Sequence, residues 1–117
     1  MAEQLANLEK DSGMLCTKPT YWNTAETWTD GNKSYYVRNG NLVTVFGKKS
    51  SPVGTLFTLP VGYRPVGFEI APGTDGNGQY AFLMFYTDGT VSAYTPGGYI
   101  WATGSFYTAD PFPYSDL

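Results

Sequence analysis

The stretch Tyr35-Tyr36-Val37-Arg38-Asn39-Gly40-Asn41-Leu42-Val43-Thr44-Val45-Phe46 decides how the rest of the chain is read. Two runs of β-branched and aromatic residues flank Asn39-Gly40, and both of those residues tolerate the positive φ of a type I′ turn. The stretch therefore predicts a β-hairpin with strands over 35–38 and 42–46. A two-residue loop there sets Val37 opposite Leu42 and Tyr36 opposite Val43.

Toward the C-terminus the same strand-and-turn grammar repeats. A third strand is predicted over 54–59, followed by an extended loop, Val61-Gly62-Tyr63-Arg64, between Pro60 and Pro65. A fourth covers 66–71, with Val66, Phe68 and Ile70 on one face and Glu69 on the other. Pro72 to Gly78 reads as a long glycine-rich loop. Strands over 80–87 and 90–95 flank Asp88-Gly89 in a second hairpin. Pro96-Gly97-Gly98 then turns the chain into strands over 99–103 and 105–108. The run at 80–86, Tyr-Ala-Phe-Leu-Met-Phe-Tyr, is apolar on both faces, which predicts cover on both sides. Short strands with turn signals about every 8 to 12 residues predict an all-β fold, an antiparallel β-sandwich or jelly-roll-like barrel.

Toward the N-terminus the pattern changes. Residues 16–33 form a polar lead-in holding Trp22 and Trp28. Before it, Met1, Leu5, Leu8 and Leu15 fall at the spacing of a coiled-coil seam. Residues 1–15 are thus predicted as a short helical stem and 16–117 as a β head domain. A helix this short is marginal alone, and Gly13 weakens it further, so if helical it needs packing, copies of itself being one partner; the competing reading is a frayed tail.

Composition excludes several functions. The chain has 117 residues, a net charge of -3, and only 7 Lys and Arg, too few and too scattered to bind a phosphate backbone; no nucleic acid is expected. Cys16 is the single cysteine, so the fold cannot rest on an internal disulfide. No apolar run reaches the length of a membrane span, and Met1 to Lys10 lacks the basic start and apolar middle of a signal peptide. The expectation is no membrane insertion and, if the protein acts outside the cell that makes it, exit by a route other than an ordinary signal peptide. Charged residues make up 15% of the chain, against about a quarter in ordinary soluble domains, so partner subunits are expected to cover part of the surface.

Chemistry is limited by the same inventory. Histidine is absent, which removes His-based triads and His-ligated metals. Asp75 and Asp88 each precede a glycine in a turn, where a carboxylate caps its own backbone. Asp75-Gly76-Asn77-Gly78-Gln79 looks like the start of a calcium loop, but Tyr86 stands where the bidentate Glu belongs. The glycines at 73, 76 and 78 lie between strands, with no helix N-terminus to hold a phosphate. No catalytic residue, metal site or cofactor is predicted. What remains is recognition of saccharide, with aromatic rings stacking on sugar faces and short polar groups reading hydroxyls. The candidate residues are Asp75, Asn77, Tyr94, Tyr99 and Trp101. The competing reading is that these rings fill a core or an interface.

The quoted hairpin through Gly47, then Thr58-Leu59-Pro60-Val61-Gly62-Tyr63-Arg64-Pro65, then Thr87-Asp88-Gly89-Thr90-Val91, and a closing aromatic strand through Tyr107 occur in this order. In these features the segment 35–107 resembles a recurrent C-terminal domain of tail-tip and baseplate proteins of phages and prophages of Gram-positive bacteria. The Leu-Pro-x-Gly-Tyr-Arg-Pro stretch is its most specific piece. The resemblance implies a homotrimeric, non-catalytic receptor-binding head in the virion, carried on a helical or fibrous stem and attached to host cell-wall or capsular saccharide. It equally allows a purely structural virion component whose partners are other phage tail proteins. The proline-bracketed motif reads as structural: two prolines deny strand pairing, Gly62 permits a sharp turn, and Arg64 is expected to anchor the loop on backbone carbonyls.

Overall fold

A computed structural model describes residues 15–26 and 33–117. Almost all regular structure in it is β, in eight strands: β1 (Thr20–Tyr21), β2 (Tyr35–Asn39), β3 (Leu42–Ser50), β4 (Phe57–Thr58), β5 (Glu69–Thr74), β6 (Tyr80–Phe85), β7 (Thr90–Tyr94) and β8 (Tyr99–Tyr107). The all-β antiparallel expectation is borne out as one curled sheet, a half-barrel, in the order β1-β2-β3-β8-β5-β6-β7-β4. The stem predicted over 1–15 lies, apart from Leu15, outside the described residues, as does Trp28.

The curl follows from the connections. Only residues 95–98 link β7 to β8, yet β6 and β5 lie between those strands in the sheet. Three strand spacings measure about 14 Å along a flat sheet, close to the full reach of so short a link. Because Pro96-Gly97 also turns, the sheet must bend to bring the two strand ends together. The link passes over the β5–β6 hairpin, where a Cβ on Gly97 would overlap the Asp75 carboxylate.

The concave side holds the core. Alternate residues point inward along each strand: Val43 and Val45 on β3, Ala71 on β5, Ala81, Leu83 and Phe85 on β6, Ile100 and Phe106 on β8. Trp22 closes the open side. It stacks on Phe57 at 4.3 Å, its Nε1 donates to the Phe46 carbonyl at 3.1 Å, and its ring fills the space that a side chain at Gly47 would need. Asn23 continues this cover, its Nδ2 donating to Glu26 and to the Lys48 carbonyl.

Several local expectations are corrected. The first hairpin forms, but it turns at Gly40-Asn41, so Val37 pairs with Thr44 and Arg38 with Val43. Gly40 alone has positive φ (60°), the mark of glycine opening a type II′ turn. The register moves by two residues, which leaves every side chain on its predicted face. Strand 54–59 shrinks to β4, which borders β7 through Phe57 and Thr58. The fourth strand lies three residues later than predicted, at β5, and absorbs Pro72, Gly73 and Thr74. Proline is tolerated because the described β5–β8 pairing is confined to Gly73 and Thr74. The two predicted closing strands are one, β8; Gly104 is no break but a close approach, since a Cβ there would meet that of Ala71 at 2.7 Å.

The proline-bracketed motif is a dock for the C-terminal segment. Tyr63 N–H donates to the Pro60 carbonyl, and Gly62 takes φ 111°, as the third position of a type II turn requires. The Asp110 carboxylate accepts from Gly62 N–H, from Arg64 N–H and from both Nε and Nη2 of Arg64, at 2.9–3.1 Å. Arg64 thus anchors the loop through a carboxylate rather than through carbonyls. The carbonyl-bound arginine is Arg38, 2% exposed, whose guanidinium donates to the carbonyls of Gly40, Gly62, Asp110 and Pro111 and to Asn41 Oδ1, with Phe112 stacked 5.0 Å away. Tyr63 is buried beside them and donates to Asp116 at 2.7 Å; burial pushes its phenol up to about 12.

Arg64 and the two backbone N–H groups hold the Asp110 carboxyl at about 2, below its ordinary 3.8. A pKa depressed by folding gives stability that is present above the unfolded value and lost as pH falls through the folded one. Between pH 4 and 2 the native protein is expected to lose on the order of 1–2 kcal/mol that Asp110→Asn does not lose, since the pair is partly solvated. Urea unfolding across this pH range measures it, and parallel curves for the two proteins would remove Asp110 as the cause.

Candidate functional site

The convex side of the sheet is where exposed chemistry collects. Residues that alternate with the core point outward, and their register sets them in rows across the strands. One row runs Phe46–Thr103 across β3 and β8, then Pro72–Phe82–Tyr94 across β5, β6 and β7; another runs Lys48–Trp101–Thr74–Tyr80. Tyr80 and Phe82 lie 5.4 Å apart between ring centroids, and Phe82 stacks on Tyr94 at 5.1 Å.

Between β5 and β8 the surface dips into an open groove of about 330 Å³, lined by Pro72, Gly73, Thr74, Trp101, Ala102 and Thr103. The dip exists because the strands that meet there carry small residues. A Cβ on Gly73 would overlap the Trp101 carbonyl oxygen, so only glycine lets β5 and β8 approach. Trp101 forms one wall, 44% exposed, with Thr74 and Thr103 beside it. On its other side the Lys48 Nζ lies 4.3 Å over the indole. The arrangement is an aromatic wall beside two threonines, and the Lys48 that packs on the indole is itself buried. Nothing in it resembles a pair of groups poised to move a proton.

The five candidate residues do not all reach this face. Tyr94 and Trp101 do, exposed on β7 and β8. Asn77 stands exposed at the tip of the β5–β6 loop, at the same end of the sheet. Tyr99 is half-buried, with its ring 3.5 Å from where a Cβ on Gly76 would sit. Asp75 must be withdrawn from the contact surface. It is 2% exposed, its Oδ1 accepts from the N–H groups of Asn77 and Gln79, and its Oδ2 faces Gly97. Its physical role is the predicted one of capping a turn, and Asp88 does the same by accepting from Thr90 N–H at 2.9 Å.

Residue-by-residue reading missed Pro72, Thr74 and Thr103 in the groove, and Ile70, Phe82 and Met84 beside it. The signal was present in the doubly apolar run at 80–86, whose inner residues are buried while Tyr80 stands 56% exposed. Among the described residues, that outer face carries the exposed rings of Tyr80 and Tyr94. No helix of the described residues is long and apolar enough to cross a membrane. Comparison with protein-family models, with curated proteins and with solved structures finds no match for this chain. The resemblance to phage tail domains is therefore carried by the quoted motifs alone.

Proposed function

We propose that this chain is the non-catalytic receptor-binding head of a phage tail tip or baseplate, attached to host cell-wall or capsular saccharide as a homotrimer. The observation that carries the reading is the Trp101 groove. A flat indole wall offers a stacking plane for a sugar ring, and Thr74 and Thr103 line the groove beside it. Asn77 stands exposed at the same end of the sheet. Binding that covers about 100 Å² of indole contributes on the order of 2 kcal/mol, so one site alone is weak. Three linked copies convert such a site into firm adhesion through avidity.

The test is retention of the protein on isolated Gram-positive cell walls and on glycan arrays. Trp101→Ala is expected to lose at least tenfold in apparent affinity while remaining folded by far-UV circular dichroism, because the indole lies outside the core cluster. Equal retention of this variant removes the groove as the site. If the native protein is held by no wall preparation and binds another virion protein tightly, the chain is a structural tail component instead.

A further inference from the structure

We propose that the convex face of β5, β6 and β7 is the contact between copies of this chain, which gives the homo-oligomer of the proposed function a defined seam. Phe68, Ile70, Tyr80, Tyr86 and Tyr94 are each between 39% and 56% exposed on this side. Phe68 lies 5.2 Å from Tyr86, and Phe82 with Met84 fills the space between the exposed rings, so the patch is continuous. Single exposed apolar residues are ordinary, but a contiguous patch beyond a few hundred Å² marks an interaction surface.

Size and charge point to a second copy. At roughly 100 Å² for each half-exposed ring, those five residues alone present on the order of 500 Å². Phe82 and Met84 add to it, toward the roughly 800 Å² that each partner contributes to a standard interface. A saccharide chain, narrow and rich in hydroxyls, cannot cover such an area. The outward positions on these strands are Ile70, Pro72 and Thr74, then Tyr80, Phe82 and Met84, then Thr90, Ser92 and Tyr94, none of them charged. Two copies that meet on a face without charge bury no unpaired ion and bring no like charges together. Association through the sheet borders has little to work with, because β1 and β4 are two residues each.

Sedimentation velocity on the full chain, from about 1 to 100 μM, tests the seam with Ile70→Lys and Met84→Lys. Both residues point away from the core, and they face each other across β5 and β6. The native protein is expected to sediment as an oligomer, and each variant as a folded monomer or with at least tenfold weaker association. Far-UV circular dichroism and the thermal midpoint verify folding, and Val53→Lys, at an exposed position outside β5, β6 and β7, serves as the control that stays oligomeric. A monomeric native protein over this range overturns the seam, as does an unchanged oligomer in both variants. Wall retention of the Trp101→Ala oligomer is read separately, so loss of the saccharide reading leaves this result standing, and the reverse.

Discussion

Arg38→Met is expected to cost roughly 3–5 kcal/mol and to lower the thermal midpoint by about 12–20 °C. The side chain is buried, and its guanidinium is the shared donor to four carbonyls from three separate segments: the β2–β3 turn, the proline-bracketed loop and residues 110–111. Methionine matches much of the volume and leaves those oxygens without a donor. An unsatisfied buried carbonyl costs about 1–3 kcal/mol, reduced here by whatever water reaches the segment nearest the surface. Burial pulls the arginine pKa down, while the nearby Asp110 charge opposes the shift. Arg38→Lys is expected to recover little, because one ammonium cannot reach donors' positions spread over a planar fork. Chemical unfolding measures the loss. A cost below about 1 kcal/mol would show that the carbonyls are served without this residue.

Gly73→Ala is expected to destabilise by about 2–4 kcal/mol and to weaken wall retention at the same time. The added methyl would press on the Trp101 carbonyl oxygen and on Ala102. Both are backbone or β-carbon neighbours that cannot rotate away, which places the substitution at the severe end of overpacking. The effect is concentrated because the pairing of β5 with β8 is described at two positions only, Gly73 with Ala102 and Thr74 with Trp101. Strain there moves the wall and the floor of the groove together. Gly67→Ala, with open space around the new methyl, is the matched control. Equal melting of the two variants would mean that the strands separate at no cost.

The parts of the fold that were legible are those fixed by local chemistry. The Asn39-Gly40-Asn41 turn and the alternation around it gave the first hairpin and its faces. The register could not be read as closely, since glycine is permissive at either central position of a tight turn and Asn41 serves as well as Asn39. Pro72 and Gly73 misled because their usual meaning is a loop. Their meaning here depends on a neighbour, β8, that lies almost thirty residues away in the chain. Arg38 hid for the same reason. Its inward alternation with Tyr36 was visible, but its carbonyl partners come from segments whose approach only the tertiary fold brings about. At the candidate site, the exposure of Trp101 and Tyr94 agrees with their residue type, whereas Asp75 reads both as a turn cap and as a ligand group, and burial decides for the cap. The groove itself is a property of small residues between strands, which no single position announces.

The central place of β8 bears on how the molecule comes into being. This strand joins β3 to β5, yet it is made after all the others. During synthesis the β2–β3 hairpin and the β5–β6–β7 meander emerge as separate pieces, neither with a complete core, and each must wait for residues 99–107. Nascent chains held on the ribosome are thus expected to stay protease-sensitive until that strand is out, then to become resistant in a single step.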